Sequence, residues 1–318
     1  MQTLNERSHR WAVILAGGDG KRLLSVTRKL TGDDTPKQFC SLDGRQTLLD
    51  QTRQRIFRTV AQEQTLILLT RTHERFYSQQ LSDVPRPRLL EQPYNHGTAP
   101  AIACSLALLE RMDRDAIVAF LPSDHYFQND DVFGDCMEAA FAQVYSDREH
   151  VVLLGIVPDA PEESYGWIQP GGPLTTDNRQ VFEVCRFWEK PSRKTACRLM
   201  RSGCLWNSFV MVGYAATFLD LIRRSLPLLA ASLNTIWSGI TPGWQEQAWA
   251  NLYASIPPSN FSDQVLATNA HSLSVLRASD LEWTDLGEPQ RLRDLLKATA
   301  GANAAQRWLA DTLELPAY

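Results

Sequence analysis

WAVILAGGDGKRLLSVTRKLTGDDTPKQF, from Trp11 to Phe39, runs from apolar residues into a glycine turn and then into the cations Lys21, Arg22 and Lys37. An apolar run that ends on glycines reads as a buried strand followed by a bare backbone turn. Backbone N–H groups in such a turn can wrap an anion, because no Cβ blocks close approach and a following helix adds its positive end. Phosphate suits that arrangement. The two common nucleotide motifs both fail, however. A dinucleotide fingerprint needs a third glycine where Leu23 stands, and a Walker A loop needs Ser or Thr where Arg22 follows Gly20-Lys21.

Outward from this stretch, short apolar runs alternate with amphipathic segments. WAVILA (11–16), TLILLT (65–70), PRLLE (87–91), AIVAFLP (116–122) and VVLLGIV (151–157) predict buried strands. QTLLDQTRQRIF, THERFYSQQL, APAIACSLALLERM and DVFGDCMEAAFAQVY carry apolar residues at helical spacing. The alternation predicts an α/β, Rossmann-like fold, a mostly parallel central sheet with helices on both faces. Ligands bind such sheets at the carboxyl ends of the strands, which directs attention to the loops after Ala16 and Leu121. From about Tyr165 the pattern shifts to longer strands (YGWIQP, QVFEVCRFWEKP, WNSFVMVGY) broken by a helix near Arg193 to Ser202. Helical segments from about Ala215 to Tyr253 follow, then a strand pair around Ser272 to Trp283. NAAQRWLADTLEL reads as a terminal amphipathic helix.

The composition, 44% hydrophobic and 21% charged over 318 residues, is that of a globular chain. A net charge of −4 argues against a nucleic-acid binder, so any anion site must be local. Six cysteines without a CxxC pair point to reduced thiols and a cytoplasmic setting. No run approaches the length of a membrane span, so no membrane partner is expected.

The pattern L-A-G-G-x-G-x-R-L, with P-K-Q-F downstream, resembles the sugar-phosphate nucleotidyltransferases, and most closely the mannose-1-phosphate guanylyltransferase branch. The segments that carry the resemblance are Gly17 to Leu23, Thr27-Arg28, Pro36 to Phe39 and Thr47 to Leu49. Further along come Glu91-Gln92-Pro93 with Asn95 to Ile102, Leu121 to His125, Tyr165 to Ile168, Trp188 to Pro191, Leu205 to Ser208 and Trp283 to Gly287. Three departures stand out: additional residues between Leu30 and Thr35, Gly97 where the branch has asparagine, and Asn260 to Ala267 in place of a motif ending in glutamate.

The resemblance implies a magnesium-dependent enzyme that joins a nucleoside triphosphate and a hexose 1-phosphate, with GTP and mannose 1-phosphate favoured. It implies a catalytic domain over 1–290, with a nucleotide half (11–160), a smaller sugar half (161–290) and a helical tail (291–318), and no isomerase or β-helix domain. Arg22 and Lys37 would carry catalysis. Leu15, Ala16, Gly17, Gly18, Gly20, Lys21, Glu91, Asn95, Gly97, Thr98, Ala99 and Ser123 would hold the nucleotide. Gly166, Glu189, Lys190 and Asn207 would take the sugar phosphate, and Asp124 and Asp285 would bind Mg2+. Hard carboxylate oxygens suit magnesium, whereas His125, with no second histidine suitably spaced, reads as structural. Open alternatives are another triphosphate, glucose or heptose as the sugar, and a non-catalytic regulatory homologue. A homodimer is also left open.

Overall fold

The computed structural model describes residues 7–42, 45–174, 180–237 and 245–299. Among these, eleven strands run in chain order: β1 Arg10–Leu15, β2 Thr65–Thr70, β3 Leu89–Gln92, β4 Ile117–Pro122, β5 Tyr126–Phe127, β6 Val151–Ile156, β7 Gly166–Pro173, β8 Val181–Glu189, β9 Leu205–Tyr214, β10 Leu273–Ala278 and β11 Trp283–Thr284. Nine of them form one sheet in the order β3-β2-β1-β4-β9-β6-β10-β8-β7. The first four are parallel, as the alternation of strand and helix predicts. β9 then enters antiparallel between β4 and β6, and β8 and β7 continue antiparallel beyond β10. The sheet is therefore mixed, parallel in its first half and largely antiparallel in its second.

The longer helices are α1 Leu24–Thr31, α2 Leu48–Ile56, α3 Thr98–Met112, α4 Asp130–Ser146, α5 Arg193–Arg201, α6 Ala215–Ser225, α7 Pro227–Trp237, α8 Gln245–Ser255 and α9 Pro289–Thr299. They cover both faces of the sheet. The period-two alternation of β1 sends Trp11 and Val13 into one core and Ala12 and Ile14 into the other. α3, α6, α7 and α8 close the first core, and α2, α4 and α5 close the second. Each fully buried Leu or Phe in them stabilises the fold by roughly 1.5–3 kcal/mol. A third, small cluster of Leu23, Val26, Leu42, Leu48, Leu286 and Leu292 fastens α9 to the segment after the glycine turn.

Two expectations change. The strand pair around Ser272 to Trp283 divides between two sheets: β10 runs parallel to β6, while β11 pairs with β5. The β10 side chains are buried on both faces except at Arg277, which suits the middle of a sheet and not a hairpin edge. Of THERFYSQQL, only Glu74–Tyr77 is α-helical, after a 3-10 turn. The predicted terminal helix over NAAQRWLADTLEL lies outside the described residues.

β1 and β4 are paired to their ends, Leu15 opposite Pro122, so the two loops picked out from the sequence emerge side by side. Across the first of the helical faces, residues 257–262 cross the start of α3. The Ala99 amide donates to the Ser259 carbonyl at 3.1 Å, the Ser259 amide to the His96 carbonyl at 3.2 Å, and the Phe261 amide to Thr98 Oγ1 at 2.8 Å. Gly97 makes the crossing feasible, with φ 91° and a position where any Cβ would overlap the Ser259 carbonyl. Gly97→Ala is therefore expected to lower unfolding free energy by more than about 2 kcal/mol in urea denaturation. An unchanged midpoint would contradict so close a crossing.

Candidate active site

The glycine turn is held from behind. The Gln38 amide donates to the carbonyls of Ala16 at 3.0 Å and Gly18 at 2.8 Å, and Thr70 Oγ1 donates to the carbonyl of Gly17 at 2.8 Å. Ser123, at the end of β4, adds a hydroxyl bond of 2.8 Å to the Leu15 carbonyl. A Cβ at Gly17 would overlap the Gln92 amide, and Gly20 turns the chain with φ 61°. No α-helix starts directly after the glycines. Lys21–Leu23 is a 3-10 turn, and α1 begins only at Leu24. On this turn the Lys21 and Arg22 side chains are 80% and 63% exposed, with Lys21 3.4 Å from Asp19 and Arg22 3.9 Å from Asp285.

The Leu30 to Thr35 segment has a defined path. Gly32 ends α1 with φ 81°, Asp34 pairs with Arg28, and Asp33 Oδ1 accepts from the Thr35 amide at 3.1 Å. The chain then reaches Pro36 and a 3-10 turn over Lys37–Phe39, which buries the Lys37 side chain. Its ammonium lies 3.0 Å from Asp124 Oδ2 and donates to the backbone carbonyls of Asp285 and Leu286. Both candidate metal residues thus contact one buried cation, Asp124 through its carboxylate and Asp285 through its backbone carbonyl. Asp285 Oδ1 accepts from Tyr165 Oη and from the Gly287 amide, both at 2.7 Å. Arg291 in turn contacts Tyr165 Oη and Glu162.

Burial pushes the Asp124 carboxyl up, but the Lys37 ammonium, His125 and hydrogen bonding outweigh it and hold the group below the usual carboxylate range. Burial also keeps His125 below the ordinary imidazole range, so the ring is neutral near pH 7 and its Nδ1 accepts from Trp283 Nε1 at 3.2 Å. His125 also lines the cleft, with Nε2 3.7 Å from Asp124 Oδ1. Beneath the site Tyr165 meets Trp206 edge-on and Trp283 at a tilt, and Trp167, wholly buried, meets Trp206 edge-on from behind.

At one side of the site, β3 decides which side chain of Glu91-Gln92 faces the cleft. Glu91 turns to the same side as Leu89, where it accepts from Tyr77 Oη at 2.9 Å and Arg86 at 2.7 Å, and it does not line the cleft. Gln92 faces inward: its oxygen accepts from Tyr253 and its nitrogen donates to Thr70, each at 2.8 Å. Asn95, Gly97 and Thr98 do line the cleft, and Asn95 Oδ1 accepts from the Gly97 amide at 3.1 Å. Ala99 is buried under the crossing segment.

On the other side, Gly166 pairs with Glu189 across β7 and β8. A Cβ at Gly166 would lie 3.2 Å from both Asn207 Cβ and Glu189 Oε2, so the three predicted residues share one corner. Burial pushes the Glu189 carboxyl up, with Lys190, 3.8 Å away, opposing that shift. The Asn207 side-chain oxygen accepts from the Phe209 amide at 3.1 Å.

A cleft of about 310 Å³ runs between these sides, lined by Gly17, Gly18, Arg22, Asp124, Glu189 and Lys190 among others. Leu15, Asn95, Gly97 and Thr98 also line it, whereas Ala16, Gly20, Lys21, Lys37, Glu91, Ala99, Ser123, Gly166, Asn207 and Asp285 stand behind or beside its wall. Sequence reasoning missed Gln38, Gln92, Tyr165, Phe209, Asn260 and Ser262. Gln38, Gln92 and Tyr165 sit inside segments that carry the resemblance. Asn260 and Ser262 belong to the segment that departs from it, and a five-residue π-helix follows there, a form found often at functional sites. Among the described residues no three or more His, Cys, Asp or Glu side chains gather as a metal cluster. None of the described helices is long and apolar enough to cross a membrane.

The Lys37 contact yields a pH prediction. A carboxylate held low contributes stability that is present above its unfolded pKa and is lost as pH falls through its folded value. In Lys37→Met the principal cation goes while burial remains, so the Asp124 pKa should rise, as followed by carbon-detected NMR titration. Stability at neutral pH should fall by about 2 kcal/mol, less than for a fully buried pair because Asp124 is one-third exposed. An unmoved Asp124 titration would contradict the contact.

Comparison with known proteins agrees with this fold. The nucleotidyl transferase family model matches residues 11–301. The mannose-1-phosphate guanylyltransferase of Escherichia coli is 29% identical over 279 residues, 86% of this chain and 57% of that protein. ManC, a mannose-1-phosphate guanylyltransferase of Salmonella typhimurium, is 30% identical over 305 residues, 92% of this chain and 61% of that one. This chain thus spans about three-fifths of the length of these curated relatives. The crystal structure of a mannose-1-phosphate geranyltransferase from Thermus thermophilus, 28% identical, superposes with a TM-score of 0.77 over 90% of this chain and 79% of that one. Matched by the family model from residue 11 to residue 301, nearly its whole length, the chain belongs to the nucleotidyl transferase family.

Proposed function

We propose that this protein joins a nucleoside triphosphate to a hexose 1-phosphate, releasing pyrophosphate, and that the pair is GTP and mannose 1-phosphate, giving GDP-mannose. The observation that carries this reading is the buried Lys37 ammonium between Asp124 and the Asp285-Leu286 backbone, beside a cleft that joins the glycine turn to the Glu189 corner. The names of the relatives favour guanine and mannose.

In the proposed reaction an oxygen of the sugar phosphate attacks the α-phosphorus, and the bond to the β-phosphate oxygen breaks with its electron pair leaving on pyrophosphate. The nucleophile is already ionised, so no general base is needed and positioning and charge carry the catalysis. Two unit charges 4 Å apart repel by roughly 4 kcal/mol at an effective dielectric of 20. Arg22, exposed on the turn, would meet the triphosphate, and Lys37 the charge that builds at the α-phosphorus. Gly17, Gly18 and Gly20 would admit the phosphates. Asn95, Gly97 and Thr98, with Gln92 in place of Glu91, would border the base. Glu189 and Asn207 would bond sugar hydroxyls while Lys190 meets the sugar phosphate.

Asp124 and Asp285 fit magnesium in their chemistry: both are hard carboxylates on residues that touch Lys37, and magnesium is commonly held by one or two carboxylates with phosphates and waters completing its shell. When bound, the ion would neutralise phosphate charge.

The test is a coupled pyrophosphate assay with magnesium, each of four triphosphates and a panel of sugar 1-phosphates. Release with GTP and mannose 1-phosphate above all other pairs is expected, and Lys37→Ala should lower kcat by about a hundredfold or more. Silence from every pair would overturn the enzymatic reading in favour of a non-catalytic homologue.

A further inference from the structure

Three non-glycine residues among those described have positive φ, namely Lys190, Phe209 and Leu286; Lys190 and Phe209 line the cleft, and the Leu286 carbonyl accepts from Lys37. Lys190 and Leu286 border groups already given roles. Phe209 is unexplained. Its φ of 61° is the left-handed conformation, which a bulky aromatic residue rarely adopts and which persists only where the surroundings enforce it. Here they do. The Asn207 side chain accepts from the Phe209 amide, Ser208 Oγ donates to the Leu154 carbonyl at 2.7 Å, and the Val210 amide donates back to Ser208 Oγ at 3.2 Å. The register of β6 against β9 shifts opposite this turn.

The consequence is a half-buried aromatic side chain on the cleft wall, its inner part packed against the core. Glu189 and Lys190 line the same cleft, and Asn207 lies two residues away on the same strand. Hydrogen-bonding groups thus stand around an apolar surface, the combination that orients a ligand with polar edges and a C–H face. We infer that Phe209 is a specificity-determining residue, the aromatic platform on which the hexose ring of the sugar 1-phosphate rests. This assignment rests on the functional reading above and adds the part of the substrate that the ring meets.

The test is calorimetric titration of mannose 1-phosphate and, separately, of GTP with magnesium into native protein, Phe209→Gly and Phe209→Tyr. Glycine accepts the positive φ without strain, so circular dichroism should report a folded Phe209→Gly chain. Mannose 1-phosphate affinity should drop about tenfold or more in Phe209→Gly, GTP affinity should stay within about twofold, and Phe209→Tyr should bind like the native protein. Native binding of the sugar phosphate with equal affinity in Phe209→Gly would overturn the platform alone, as would equal losses for both ligands. A native protein that binds no sugar 1-phosphate would overturn the functional reading and the platform with it.

Discussion

A lysine ammonium buried at the meeting point of three distant segments is the constraint on which the site depends. Burying a cation is costly unless it is paired and hydrogen-bonded. Lys37 meets that requirement with the Asp124 carboxylate from the end of β4 and with two carbonyls from the turn after β11. The N-terminal loop, the central sheet and the C-terminal part of the chain are thereby locked to one point. The small apolar cluster that joins Leu23 and Val26 to Leu286 and Leu292 holds the same segments from the side.

Among the described residues, left-handed backbone at non-glycine positions occurs at the Lys37 junction, in Leu286, and on the cleft wall, in Lys190 and Phe209. The three non-glycine residues with positive φ follow Glu189, Ser208 and Asp285, at the ends or irregularities of β8, β9 and β11. Each such conformation costs on the order of 1–3 kcal/mol, which the large two-sided core supplies. Gly17, Gly97 and Gly166 serve the same end by a different route, since each stands where a side chain would fill the space between facing groups.

The first half of the fold was legible because β1, β2, β4 and β6 are short apolar runs buried on both faces, and that pattern has few other readings. The glycine turn and the strand ends at Asp124 and Asp285 were legible as motifs. What was not legible depends on pairing. Glu91 and Gln92 look equally suitable in the sequence, and only the register of β3 on β2, Thr70 opposite Gln92, turns one into the cleft and the other toward Tyr77. Likewise β10 and β11 lie close in sequence but pair with β6 and β5, contacts that no local pattern specifies. The left-handed turn at Phe209 was hidden for a related reason: an aromatic residue in an apolar strand gives no sign of positive φ.

The most direct measurement is electron paramagnetic resonance of Mn2+, standing in for magnesium, titrated into the protein with GTP present, in native form and as Asp124→Asn and Asp285→Asn. The account predicts one tight ion per nucleotide-bound chain and a loss of affinity of about tenfold or more from either substitution alone. Ion binding that ignores one of the two substitutions would contradict a shared site beside Lys37.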